Sequence, residues 1–217
     1  MTKWKVEINS PSLLILGFWG EVIYSFFMTD QENESIIRVF VALSLHDDVM
    51  AVLKTRSLAL QEQYSALNIR WVPPGNYHLT VIFIGNVTVG ELDKMESLVR
   101  GAVKGISPFD LELGEMALFP PDQQRKGVLI ASIMPNEVLE RLQSRIESLF
   151  RGVDYALIDR PYHPHVTIAR IRKNRLDEQA LLQGGPSLIS TVDRVHIYET
   201  HKEDGKVVNS IVRTVEI

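Results

Sequence analysis

Tyr77-His78-Leu79-Thr80-Val81-Ile82-Phe83-Ile84-Gly85 and Tyr162-His163-Pro164-His165-Val166-Thr167-Ile168-Ala169-Arg170 decide the reading of this 217-residue chain. Each holds His-x-Thr followed by an apolar residue. The first copy is His78, Leu79, Thr80, Val81; the second is His165, Val166, Thr167, Ile168. A strand turns successive side chains to opposite faces, so His and Thr of each copy share a face. The residue between them, and the one after Thr, can bury. Two such strands brought together offer a pair of imidazoles, able to act as base and acid. They also offer a pair of hydroxyls, able to donate to an oxyanion. That set suits cleavage of a phosphate ester without a metal ion.

Outward from the motifs, the order of elements repeats. Residues 36–43 are predicted to form a buried strand, and Asp47 or Asp48 to cap a helix running to about Leu67. A short strand at 69–72 and a turn at Pro73-Pro74-Gly75 lead into the first motif strand. Thr88 with Glu91 three residues later reads as a capping box opening a helix to about Val103. The second half offers a strand at 127–133, a helix capped by Asn136 and running to about Phe150, a short strand at 155–158, a turn at Pro161 and the second motif strand. A short helix near 177–182 and a hairpin, 192–198 and 207–217 around Glu203-Asp204-Gly205, close the chain. Strand, helix, strand, motif strand thus occurs twice, which predicts an internal duplication. The expected fold is α+β and bilobal. Pseudo-twofold symmetry would set two antiparallel sheets around a central cleft, with helices outside.

Composition narrows the chemistry. With 45% hydrophobic and 23% charged residues the chain is globular in type. A formal charge of -4 argues against a broad non-specific nucleic-acid surface, though not against reading one phosphate. Absence of cysteine removes disulfides, thiolate catalysis and Cys-containing zinc sites. His163 and His165 form a His-x-His, but no carboxylate or third histidine stands beside them in sequence, so no metal and no cofactor are expected. Residues 1–35 are expected to lie outside the functional fold, with Met28 as an alternative start, and residues 36–217 to form it. The apolar stretch within that extension carries Glu21 and falls short of the roughly 20 residues of a membrane-spanning helix. A cytoplasmic monomer without a membrane partner is expected.

One arginine resists simple alternation. Arg170 has the parity of Val166 and Ile168, not of His165 and Thr167. Regular pleating turns it away from the motif face; a bulge near the strand end would re-aim it.

With these residues in view, the chain resembles the 2H phosphoesterase superfamily, and within it the RNA 2',3'-cyclic phosphodiesterases once called 2'-5' RNA ligases. The resemblance runs through Arg38-Val39-Phe40-Val41-Ala42-Leu43, Arg70-Trp71-Val72-Pro73-Pro74, both motifs, Phe119-Pro120, and Tyr198-Glu199. It implies hydrolysis of RNA termini or small cyclic nucleotides bearing a 2',3'-cyclic phosphate to 2'-phosphomonoesters. It also implies His78 as proton donor, His165 as proton acceptor, and Thr80, Thr167 and Arg170 as phosphate contacts. Phe119 is a candidate base contact. Three rival readings stand beside this one: 2'-5' ligation or cleavage of 2'-5' linkages, a nucleotide-binding module without turnover, and a zinc hydrolase.

Overall fold

In the computed structural model, residues 35–119, 127–171 and 188–217 are described. The N-terminal extension up to residue 34, Pro120 and the helix expected at 177–182 lie outside them. The first half builds β1 (Ile36–Leu43), α1 (Asp47–Gln63), β2 (Ile69–Trp71), β3 (Leu79–Thr88) and α2 (Leu92–Val103). After β4 (Phe109–Phe119), the second half builds β5 (Gly127–Ile133), α3 (Glu137–Arg151) and β6 (His165–Ile171). β7 (Leu188–Val192), β8 (Arg194–Glu203) and β9 (Lys206–Glu216) complete the chain.

Local chemistry explains most boundaries. The Asn136 side chain accepts from Leu139 N–H at 2.9 Å and so caps α3. Thr88 N–H donates to Glu91 Oε2 at 2.9 Å, one arm of the capping box, and a 3₁₀ turn leads from there into α2. The β8–β9 turn places Asp204 at φ 48° and Gly205 at φ 75°, the backbone that a two-residue hairpin loop favours. The first helix departs from expectation. His46, not an aspartate, occupies its N-cap; Asp47 and Asp48 fall in the first turn, where carboxylates complement the helix dipole. The helix ends at Gln63, short of the expected Leu67.

Among the described residues, nine strands join in one curled antiparallel sheet of order β7-β4-β5-β6-β3-β1-β8-β9, with β2 also paired to β6. Its two halves, β7-β4-β5-β6 and β3-β1-β8-β9, are related as the duplication predicts. Each runs outward from a motif strand through a strand preceding a helix (β5, β1). They meet at a single residue pair, Leu79 with Val166. The segment at 155–158 is not a strand. The symmetry has another break: β2 of the first half, not a strand of the second, lies beside β6, through Ile69 with Ile171, Arg70 with Arg170 and Trp71 with Ala169.

One apolar core underlies both halves. Val39, Val41, Leu43, Leu79, Leu129, Ala131, Val166, Ile168, Leu142, Ile146 and Phe150 all belong to it. Burial at about 25 cal/mol per Å² of apolar surface is what holds α2 and α3 against the sheet. Phe40, Ala42 and Tyr198 form a separate small cluster on the other face of the sheet. That other face carries the motif histidines and is called the site face below. Among the described residues no helix is long and apolar enough to cross a membrane.

Candidate active site

The Leu79–Val166 pair positions everything else. Directly paired residues of an antiparallel ladder project to the same side, and both of these are fully buried in the core. Their neighbours His78, Thr80, His165 and Thr167 therefore project to the site face. Carried one residue either way, the register sets His78 across from Thr167 and Thr80 across from His165.

A bulge in each motif extends the match between the halves. On β3, Ala42 pairs with Thr80 but Val41 pairs with Ile82, leaving Val81 as the extra residue. On β6, Ile130 pairs with Thr167 but Leu129 pairs with Ala169, leaving Ile168 extra. Both bulges fall on the apolar residue that ends the motif. Each inserts one residue and so reverses the parity beyond it. Val166, Ile168, Ala169 and Ile171 are all buried while Arg170 is exposed, so Arg170 shares the face of His165 and Thr167. The parity problem of the sequence is resolved by the bulge.

The equivalent position on β3, five residues after His78, is Phe83. It is 58% exposed and lies on the site face, 5.9 Å from the Phe40 ring. Phe40 also touches His78 at 4.6 Å and stacks on Tyr198 at 5.1 Å. The His78 side of the site is thus aromatic, the His165 side cationic. Phe119 sits with its ring 6.0 Å from His165 and 5.2 Å from His163. Sequence reasoning reaches Phe40 only as part of the segment 38–43 and gives no role to Phe83 or Asn76. The signal for Phe83 was its spacing from His78, which equals that of Arg170 from His165.

Both imidazoles are held in the same way. His78 Nδ1 lies 2.8 Å from the Asn76 carbonyl, and His165 Nδ1 lies 2.7 Å from the His163 carbonyl. A carbonyl only accepts, so each Nδ1 carries the proton and donates it. Nε2 of each ring is left for other chemistry. His163 thus supports the His165 ring through its backbone carbonyl. Asn76 does more: its Nδ2 donates to Val207 O at 2.8 Å and its Oδ1 accepts from Asn209 N–H at 3.1 Å. It pins β9 to the turn that carries His78. Tyr162 Oη donates to Thr80 O at 3.4 Å, tying the loop before β6 to β3. Burial pushes the Tyr162 phenol well above its ordinary value.

Electrostatics set the two rings in one field. Burial is the main force lowering His78 from 6.5 to about 4; its hydrogen bond to the Asn76 carbonyl opposes this, and the charges of His165 and Arg170 lower it further. Among the described residues, the Thr80 and Thr167 hydroxyls have no protein partner. No three His, Asp or Glu side chains among those residues gather closely enough to hold a metal ion. His196 serves structure: its Nε2 bonds Ser44 Oγ at 3.1 Å and its Nδ1 bonds Thr214 Oγ1 at 2.9 Å.

Fold and site together define a duplicated α+β protein with one His-x-Thr strand from each half meeting on one face. The chain belongs to the 2'-5' RNA ligase superfamily, which it matches over residues 51–204. It is 32% identical over 101 residues to an RNA 2',3'-cyclic phosphodiesterase of Bacillus subtilis, a match covering 46% of this chain and 55% of that protein. The chain thus spans about half the length of that relative. It is 26% identical over 141 residues to a protein of the same name from Methanothermobacter thermautotrophicus, covering 64% of this chain and 73% of the other. Among solved structures, Escherichia coli LigT complexed with 3'-AMP superposes with a TM-score of 0.66 at 18% identity, over 84% of this chain and 99% of that one. TT0787 of Thermus thermophilus gives 0.64 at 23% identity, over 83% and 97%. These likenesses show the fold.

Proposed function

We propose that the protein is an RNA 2',3'-cyclic phosphodiesterase, hydrolysing cyclic phosphodiester ends to 2'-phosphomonoesters without a metal ion. One observation carries the reading: two imidazoles, each fixed through Nδ1 by a carbonyl two residues upstream, share one face of two paired motif segments. Water oxygen bonds to phosphorus as the P–O3' bond breaks. One Nε2 takes the water proton, and the other ring gives a proton to the leaving O3'. In-line displacement needs such a base and acid on opposite sides of phosphorus. Thr80, Thr167 and Arg170 donate to the non-bridging oxygens, where charge grows in the transition state. Phe83 and Phe119 offer faces for a base on either side.

The resemblance assigns proton donation to His78 and acceptance to His165. A specific observation favours the reverse as a second reading. With its basicity lowered to about 4, His78 is neutral at pH 7. A ring so poised is ready to accept. A substrate carrying sulfur in place of O3' separates the two, because a thiolate leaves without needing a proton. Activity on it should survive His78→Ala if His78 is the donor and be lost if His78 is the base.

The deciding experiment is incubation with adenosine 2',3'-cyclic phosphate, with and without EDTA, resolving 2'-AMP from 3'-AMP. The reading expects 2'-AMP at equal rates in both. Joining of RNA ends through a 2'-5' linkage would favour the ligase reading, binding without product the module reading, and loss of turnover in EDTA a metal enzyme.

A further inference from the structure

We infer that Arg70 and Arg170 together form a second phosphate subsite, which takes the internucleotide phosphodiester one linkage before the reacting end of an RNA chain. The inference rests on the functional reading above and adds a preference for chain length.

The register places the two arginines. Arg70 of β2 lies directly opposite Arg170 of β6. The pairs on either side fix the face. Ile171 and Ala169 belong to the core, and their partners Ile69 and Trp71 pack against it. Alternation then sends Arg70 and Arg170 to the opposite side, the site face. Both are exposed. Like charges directly opposite in a ladder repel and cost stability. Among the described residues neither arginine has a carboxylate partner to offset that cost. Across the sheet the row continues through Val128, opposite Arg170, to Phe119, opposite Val128, and contains no acid.

Two guanidiniums in adjacent strands, with about 4.8 Å between strands, present two planar forks to one tetrahedral anion. The row stands five residues along β6 from His165, one of them in the bulge, or about 13 Å at 3.3 Å per residue. The charge of Arg170 lowers the proton affinity of His78, so this arginine serves the reacting phosphate as well as the second one. Arg70 has no such role at the reacting phosphorus and is left for the next charge on the substrate. The duplication gives this charge one direction. The counterpart of Arg170 on β3 is Phe83, so the paired cations occur on the His165 side. An RNA end has the required second phosphate on the 5' side of its terminal nucleoside; a cyclic mononucleotide lacks it.

The test compares adenosine 2',3'-cyclic phosphate with a diadenosine ending in the same cyclic group, for wild type, Arg70→Ala and Arg70→Lys. Wild type should favour the dinucleotide in kcat/KM by at least about tenfold. Arg70→Ala should lose most of that ratio, and Arg70→Lys should keep part of it. The log–log salt dependence for the dinucleotide should become shallower by about 0.7 in Arg70→Ala, the value for one phosphate contact on a single strand. Its thermal midpoint should equal or exceed that of wild type, because a like-charge contact is gone. An unchanged ratio, or an equal loss on both substrates, overturns the subsite. Should wild type turn over neither substrate, the functional reading fails and binding decides the subsite instead. Weakened binding by Arg70→Ala of the dinucleotide 2'-phosphate, but not of 2'-AMP, upholds it; equal or absent weakening rejects it.

Discussion

Leu79 and Val166 pair across the single point of contact between the motif strands, both fully buried. Their burial fixes the outward direction of both histidines and both threonines. The core thus sets the geometry of the site: a strand shifted by one residue would send its histidine inward.

Among the described residues no group hydrogen-bonds the Thr80 or Thr167 hydroxyl. Thr80→Val and Thr167→Val keep the shape and remove the donor. Each should lower kcat by about 10²-fold, the scale of losing one transition-state donor. Thermal midpoints should hold, since no described group depends on either hydroxyl. A drop in stability without a drop in kcat would assign the hydroxyls to structure.

Asn76 joins the hairpin to the His78 turn through two hydrogen bonds to β9. Asn76→Ala leaves a backbone donor and acceptor unmatched, at about 1–3 kcal/mol. Asn76→Asp restores an acceptor for Asn209 N–H but offers no donor to Val207 O. Urea denaturation should rank wild type above both variants, and kcat should fall with loss of the fixed His78 ring. Equal stability of all three would refute the clamp.

His78 also makes stability depend on pH. Its folded value near 4 lies below the ordinary 6.5, so the unfolded chain binds the proton more readily. The contribution is complete above pH 6.5 and is lost as pH falls from there toward 4, by roughly 3 kcal/mol. Thermal midpoints measured from pH 7 to pH 4.5 should fall less for His78→Gln than for wild type. Parallel curves would contradict the lowered proton affinity.

Phe83 presents an exposed ring on the site face, 5.9 Å from the Phe40 ring that packs on His78. Base stacking on such a ring is worth about 1–3 kcal/mol by alanine substitution. Phe83→Ala should raise KM for a cyclic nucleotide by about 5- to 100-fold while the fold persists. The same substitution should have little effect on a cyclic phosphodiester without a base; an equal effect on both would remove the ring from base recognition.

Much of this was legible from residue order. The motif spacing placed β3 and β6, and β1, β5, α2 and α3 followed from apolar runs and caps. β4 escaped notice because its apolar alternation, Leu111 and Leu113 then Met116 and Leu118, changes phase at a register shift between Leu113 and Met116. The strand expected at 155–158 failed for a different reason: β propensity alone does not supply a ladder partner, and the place beside β6 belongs to β2. The face of Arg170 depended on a bulge set by long-range pairing with β5, which parity along a single strand cannot show.

The account depends most on the two imidazoles serving one phosphorus as a unit, and a double-mutant cycle on adenosine 2',3'-cyclic phosphate tests that directly. His78→Ala and His165→Ala should each lower kcat/KM by about 10²–10⁴-fold, and the double variant should be little slower than the slower single, because members of one machine are not additive. Losses that multiply, or full activity of either single variant, would contradict it.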